Sequence, residues 1–393
     1  MKKLILALTL ASVVSSQAQN SPYVAKVLDF CPAPGQFTNV LPQYEEGDTK
    51  NDIIDKVSEY LVGQENGGLL SLGAWGGYIV VGFDHTIINK VGEYDFKILG
   101  NAFYSTANPN PDTPKGGSCE PGIVMVSYDE NKNGLADDAW YELAGSEYKK
   151  PETKHNYEVV YYKPDKNKVA TPNPNNPSIT DTSYIYWKDN IGNEGYIEKN
   201  SFYQQAYYPE WIESDSLVFK GTRLANNAID ESGQGSYYVL YAYDWGYADN
   251  HPNDSELSCF KIDWAVDSLG NPVHLPGIDF IKIYTGVLQS NGWLGECSTE
   301  VSGIIDLHPE IAMGDNEHLT DSFTIFQAEN GDIHINTQES GKAILYNMSG
   351  ICLQDFHLQT GKNILNPIVK QSGIYLLKIY TNLYSNSYKI IIK

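Results

Sequence analysis

The sequence predicts a mostly β protein: a large antiparallel jelly-roll or sandwich-like domain with one N-terminal helix, followed by a small Ig-like β-sandwich. Three observations carry this. Short β-branched and aromatic runs recur between Gly, Asn, Asp and Pro, the pattern of strands joined by tight turns. Tyrosine is abundant, 29 of 393 residues, which suits sheet faces and wet, amphipathic surfaces. Only one segment spaces its apolar residues convincingly as a helix.

The elements follow in chain order. Met1-Lys2-Lys3 is a short basic start, Leu4 to Val14 is apolar, and Ser16-Gln17-Ala18 puts small residues where a peptidase cuts. Residues 1–18 therefore read as a secretory signal peptide, and no later run is long enough to span a membrane. After a Pro/Gly stretch at 31–42 comes the helix. Thr49 caps it, Ile53, Ile54, Val57, Tyr60 and Leu61 share one face, and Gly63 ends it. Strands are expected at 77–83, 94–99, 122–127, 157–162, 236–243 and 278–284, with a surface loop at 171–177. Residues 19–308 thus form one β-rich binding domain. Residues 309–322 are polar and aperiodic, a linker. Residues 323–393 carry strands at 343–346, 374–380 and 387–392, with turns at 348–350 and 360–363, the spacing of a small sandwich. A faint echo links Asp95-Phe96-Lys97-Ile98, which precedes Glu120, with Asp279-Phe280-Ile281-Lys282-Ile283, which precedes Glu300.

The formal charge is −22, from 27 Lys+Arg against 49 Asp+Glu, and Arg223 is the single arginine. That excludes a phosphate-backbone partner and argues against an anionic membrane surface. The five cysteines form no CxxC motif, so zinc-ribbon and thioredoxin-like chemistry is not indicated. Cys119 and Cys297, each beside a Glu, form a candidate disulfide, with buried free thiols as the alternative.

Ala343 to Gly350, Gly361-Lys362-Asn363, Gly373 to Ile379 and the terminal Ser387 to Lys393 together resemble the type A C-terminal sorting domain of proteins exported by the type IX secretion system of Bacteroidetes. The resemblance implies passage through the outer membrane, with residues 323–393 read by the secretion machinery, and a secreted or outer-membrane-surface location. The large domain is similar to uncharacterised Bacteroidetes cell-surface proteins. The matching segments are Ser71-Leu72-Gly73, Gly82-Phe83-Asp84-His85, Gly100-Asn101-Ala102-Phe103, Glu120 to Val124, Trp140 to Ser146, Tyr207-Tyr208-Pro209, Asp244 to Asn250 and Asp279 to Lys282. Some proteins of that kind are thought to serve nutrient capture, including corrinoid uptake.

Chemistry concentrates in a few places. Asp129, Asn131, Asn133, Leu135 (through its carbonyl), Asp137 and Asp138 place oxygen donors around Gly134 with the ligand logic of a calcium loop. It is not a full EF-hand, because Trp140 stands where the bidentate Glu belongs and the preceding run is a strand. Asp244, Trp245, Asp249 and Asn250 pair aromatics with hydrogen-bonding acids and amides, as a sugar-binding loop does. Tyr207, Tyr208 and Trp211 add an aromatic group expected at the surface. Glu120, Glu142, Glu296 and Glu300 are candidates for a glycosidase carboxylate pair. GxSxG, HExxH and phosphate-loop motifs are absent. His85 and Arg223 read as structural. These readings converge on an exported, non-catalytic, calcium-supported binding protein for a glycan. Corrinoid capture, a secreted glycoside hydrolase and a structural adhesin are the alternatives.

Overall fold

Strand alternation resolves into sheets that are all antiparallel and buried on both faces where they matter. The structure is a computed structural model that describes residues 20–90, 92–105, 115–310, 323–327, 332–337, 340–347, 351–369, 372–381 and 385–392. The expected signal segment 1–18, the expected linker beyond residue 310 and the expected turn at 348–350 lie outside the described residues. The chain divides into two units, Met1–Ala312 and Met313–Lys393.

The first unit is built on a six-stranded sheet. Its strands run in the order Lys26–Cys31, Tyr78–Ile88, Gly277–Thr285, Gly122–Ser127, Trp140–Leu143 and Ala265–Val266. Period-two alternation divides its side chains cleanly. Ile79, Val81, Val124, Val126, Ile281 and Ile283 face one core, which the helix Lys50–Leu61 covers with Ile53, Val57 and Leu61. Tyr78, Ile123, Met125 and Tyr284 face the other way, onto a second core with Trp75, Tyr157, Val159, Tyr161 and Phe219. That second core is supplied largely by a four-stranded sheet, ordered Glu194–Asn200, Ile179–Asp189, Lys154–Tyr162 and Ser216–Arg223.

The helix begins where its cap predicts. Asp52 N–H donates to the Thr49 hydroxyl, and the Asp52 carboxylate accepts from the Thr49 N–H at 2.7 Å, a closed capping box. Arg223 behaves as a structural fork: it donates to the Tyr157 hydroxyl and the Leu288 carbonyl, both at 3.3 Å. His85 is clamped between Asp84 and Asp306 at 2.6 and 2.7 Å. All five cysteines are free thiols, with Cys119 and Cys297 buried, so the candidate disulfide is not formed.

Smaller sheets complete the unit. Ala228–Asp230, Tyr238–Tyr241, Gly116–Ser118 and Phe103–Tyr104 form one, and Cys259–Phe260, Phe96–Leu99 and Gly303–Asp306 another. Glu300–Val301 pairs with Leu70–Ser71. The second unit is a sandwich of a three- and a four-stranded sheet around Ile333, Ile335, Leu345, Leu358, Leu377 and Ile379. The turn expected at 360–363 is instead the start of the strand Gly361–Leu365. Asn363 closes it by bonding both backbone groups of Gln359.

Candidate functional site

The loop that follows Tyr238–Tyr241 doubles back and docks on the chain around Glu120. Ala248 exchanges both backbone hydrogen bonds with Gly122, and Glu120 N–H donates to the Asp249 carbonyl at 2.9 Å. This docking holds Asp249 at φ +51, a left-handed conformation that Asp tolerates better than most residues. Its carboxylate turns inward. One oxygen accepts from the N–H groups of Asn101 and Ala102, both at 2.8 Å, and the other from Glu300 N–H at 2.9 Å. Gly100 makes the close approach possible, since a Cβ there would lie 2.3 Å from the Asp249 carboxylate.

Glu300 and Glu120 arrive at the same point from two different strand ends. Oxygens of Glu120, Asp249 and Glu300 all lie within 4.8 Å of one another, the one such group of three acids among the described residues. Glu120 accepts from Ser298 N–H at 3.3 Å and from the Ser118 hydroxyl at 3.4 Å. Burial first, then the charges of their neighbours, push Asp249 and Glu300 well above the ordinary carboxylate range, and burial pushes Glu120 up with them. Two unit charges 4.8 Å apart repel by about 3 kcal/mol at an effective dielectric near 20. The three stay together only with protons held among them or with a cation beside them.

Two of these acids, Glu120 and Glu300, lie on the floor of a cleft of about 750 Å³, and Asp249 sits against them behind it. Glu120, Glu296, Glu300, Ser298 and Asn291 give it polar groups, and Phe37, Phe103, Phe202, Tyr203, Tyr237, Tyr238 and Trp293 give it aromatic walls. Phe202 and Trp293 meet edge to face at 5.8 Å, and Phe37 and Tyr203 at 4.7 Å. Phe103 and Phe202 are more than half exposed, so the walls are open to an entering molecule. Glu296 accepts from Gln36 N–H at 2.6 Å through one oxygen, while burial pushes its carboxyl up to about 7.

The aromatic residues named from the sequence fall elsewhere. Tyr207 is fully buried and packs edge-on against Tyr184 at 5.4 Å, Tyr208 is 3% exposed, and Trp211 is stacked on Phe30 at 6.4 Å. They are core, because the segment that carries them puts Tyr207 and Tyr208 into the second core and Trp211 into the first instead of crossing the surface. Asn250 is also buried and spent: its amide bonds both backbone groups of Tyr243. Trp245 leans on Trp264 at 4.7 Å, and Asp244 is exposed. None of these six lines the aromatic cleft. Asp249 does not line it either, but its carboxylate lies within 4.8 Å of those of Glu120 and Glu300, which do. Glu142 lies apart from the cleft, accepting from the Thr222 hydroxyl at 2.6 Å.

The segment 129–138 is an exposed turn closed on itself. Asp129 accepts from Asn133 and Gly134 N–H at 3.0 and 2.7 Å, and Asn133 accepts from Leu135 N–H at 2.7 Å. The Asn133 amide reaches Asp137 at 3.2 Å and the Asn131 amide reaches Asp138 at 3.3 Å. Its donor types suit a hard cation, and the carboxylates keep spare lone pairs.

The cleft is assembled from segments near residues 36, 103, 120, 202, 237 and 295, which no local motif connects. Sequence reading did single out Glu120, Glu296 and Glu300; the two echoing strands are the signal that pointed toward two of them. No family model and no curated protein matches the sequence. Among solved structures, a β-glucuronidase of Faecalibacterium prausnitzii is similar over 71% of this chain at 9% identity with a TM-score of 0.15, and this chain spans 46% of that one.

Proposed function

We propose that this chain is a non-catalytic, exported binding protein whose aromatic cleft takes a glycan. The observation that supports it is the combination of open aromatic walls with a carboxylate and amide floor. A sugar ring presents apolar C–H faces to stack on rings such as Trp293, and hydroxyls that donate to Glu296 and Asn291. Glu120 and Glu300 meet carboxyl to carboxyl, which leaves no room for a scissile bond between them and speaks against a hydrolytic pair. One observation favours hydrolysis as a second reading: Glu296, raised to about 7, has a general acid's proton affinity. In the proposed role the loop 129–138 takes calcium as a brace, and residues 323–393 serve export.

The test is a binding screen of the full chain against a glycan panel and cobalamin, with product release followed for every hit. A glycan hit without turnover, weakened about tenfold by Trp293→Ala and unaffected by Trp245→Ala, is expected. Cobalamin as the sole hit, or release of reducing sugar abolished by Glu296→Gln, overturns it. For the loop, calcium at ten times its Kd adds about 1.4 kcal/mol of stability. The calcium-dependent stabilisation falls by that increment in Asp129→Ala plus Asp137→Ala if the loop is a binding site.

A further inference from the structure

The three acids that line the cleft and Asp249 behind them share an unusual condition. Among the described residues no lysine, arginine or histidine pairs with Glu120, Asp249, Glu296 or Glu300. Asp249 and Glu300 are each 4% exposed. Backbone N–H groups hold Asp249 in place but bring no positive charge. A desolvated carboxylate group of this density persists as anions only beside a cation.

A second observation points the same way from outside the acid group. Glu296 is 7% exposed and Asn291 is 2% exposed, and both line the cleft with Glu120 and Glu300. Glu296 Oε2 and Asn291 Oδ1 are buried without a hydrogen-bond partner. A buried carboxylate oxygen and a buried amide oxygen left unpaired are costly unless something in the cleft satisfies them. Both are hard oxygen donors, like the carboxylates of the floor.

We propose that the floor of the cleft is a divalent-cation site of calcium type, held by Glu120, Asp249 and Glu300, with Glu296 and Asn291 satisfied from the cleft side through water or ligand hydroxyls. The ion converts a self-repelling acid group into a neutralised one and presents a Lewis-acidic face to the cleft. All five donors are oxygen, the preference of Ca²⁺. This site is separate from the loop 129–138. The ion itself does not depend on the glycan reading; only its contact with sugar hydroxyls rests on that reading.

The test uses the full chain carrying Asp129→Ala plus Asp137→Ala, so that the loop is silent. Calcium is titrated calorimetrically, and Tb³⁺ is followed by emission sensitised through the cleft aromatics. One ion per chain is expected, with bound Tb³⁺ displaced by calcium. Adding Glu120→Gln plus Glu300→Gln should weaken its Kd at least 100-fold while near-UV circular dichroism stays native. An unchanged isotherm in that variant overturns the proposal. So does absence of calcium binding at 10 mM in the loop-silent chain, which needs no floor variant to fold. Zinc binding tighter than calcium, drawing on the buried Cys297 thiol beside Glu120, overturns the calcium-type assignment. Glycan binding that is lost on chelation and restored by calcium extends the ion to ligand contact. An ion bound with no glycan hit leaves the site standing and removes the glycan reading.

Discussion

Glu142 offers a quantitative test of how the cores are wired. It sits in the strand Trp140–Leu143, opposite Met125 and Val266, and its carboxylate accepts from the Thr222 hydroxyl at 2.6 Å. Burial is the main cause that lifts its pKa from 4.5 to about 7, with the Thr222 bond opposing. The folded state therefore holds a proton that the unfolded chain releases at lower pH. Its stabilising contribution is full below about pH 4.5, declines as pH rises, and is gone above about 7. A shift of that size corresponds to about 3 kcal/mol. Glu142→Gln keeps an acceptor for Thr222 and removes the charge at every pH. The variant should match the parent at pH 4 and exceed it by up to about 3 kcal/mol at pH 8. Urea unfolding followed by tryptophan fluorescence reads this directly, because all seven tryptophans belong to the unit Met1–Ala312. Other raised acids, Asp95 among them, titrate equally in both proteins and cancel in the difference. A difference that does not change with pH, or a variant less stable at pH 8, refutes the assignment of a buried, proton-holding Glu142.

Three further outcomes are expected. Tyr207→Ala should cost about 3–5 kcal/mol in urea unfolding, because a fully buried ring is removed; a cost under 1 would return Tyr207 to the surface. Thr49→Ala should cost about 1 kcal/mol through loss of the capping box, measured the same way and accompanied by faster amide exchange in the first turn of the helix. Gly246→Ala should cost about 2 kcal/mol or more, since Gly246 has φ +90 and its Cβ would come within 2.6 Å of the Gly145 Cα; wild-type stability would show that the loop carrying Asp249 is not pinned there.

Much of the fold was legible because its signals are local. The run 122–127 became the strand Gly122–Ser127, and 278–284 became Gly277–Thr285 with Ile281 and Tyr284 on opposite faces, as period two requires. Thr49 and the Ile53, Val57 and Leu61 spacing fixed the helix for the same reason. The site was legible only in part, because composition does not encode direction. Asp244 to Asn250 reads as a solvated, acidic, sugar-like loop. Yet the backbone exchange between Ala248 and Gly122 turns Asp249 inward and consumes Asn250 as a brace. Tyr207, Tyr208 and Trp211 look like a surface patch for the opposite reason. A Tyr-Tyr-Pro segment after a Gln-rich stretch shows no period, while its burial depends on Tyr184 and Phe30, far away in sequence. Glu120 and Glu300 were identifiable as residues and not as neighbours, since 180 positions separate them. What unites them is topology: each leaves a strand end where the sheets meet, and the docking loop delivers Asp249 between them. Three acids from distant parts of the chain thus share one desolvated point, where a proton or a cation must offset their repulsion, and the calcium titration distinguishes the two.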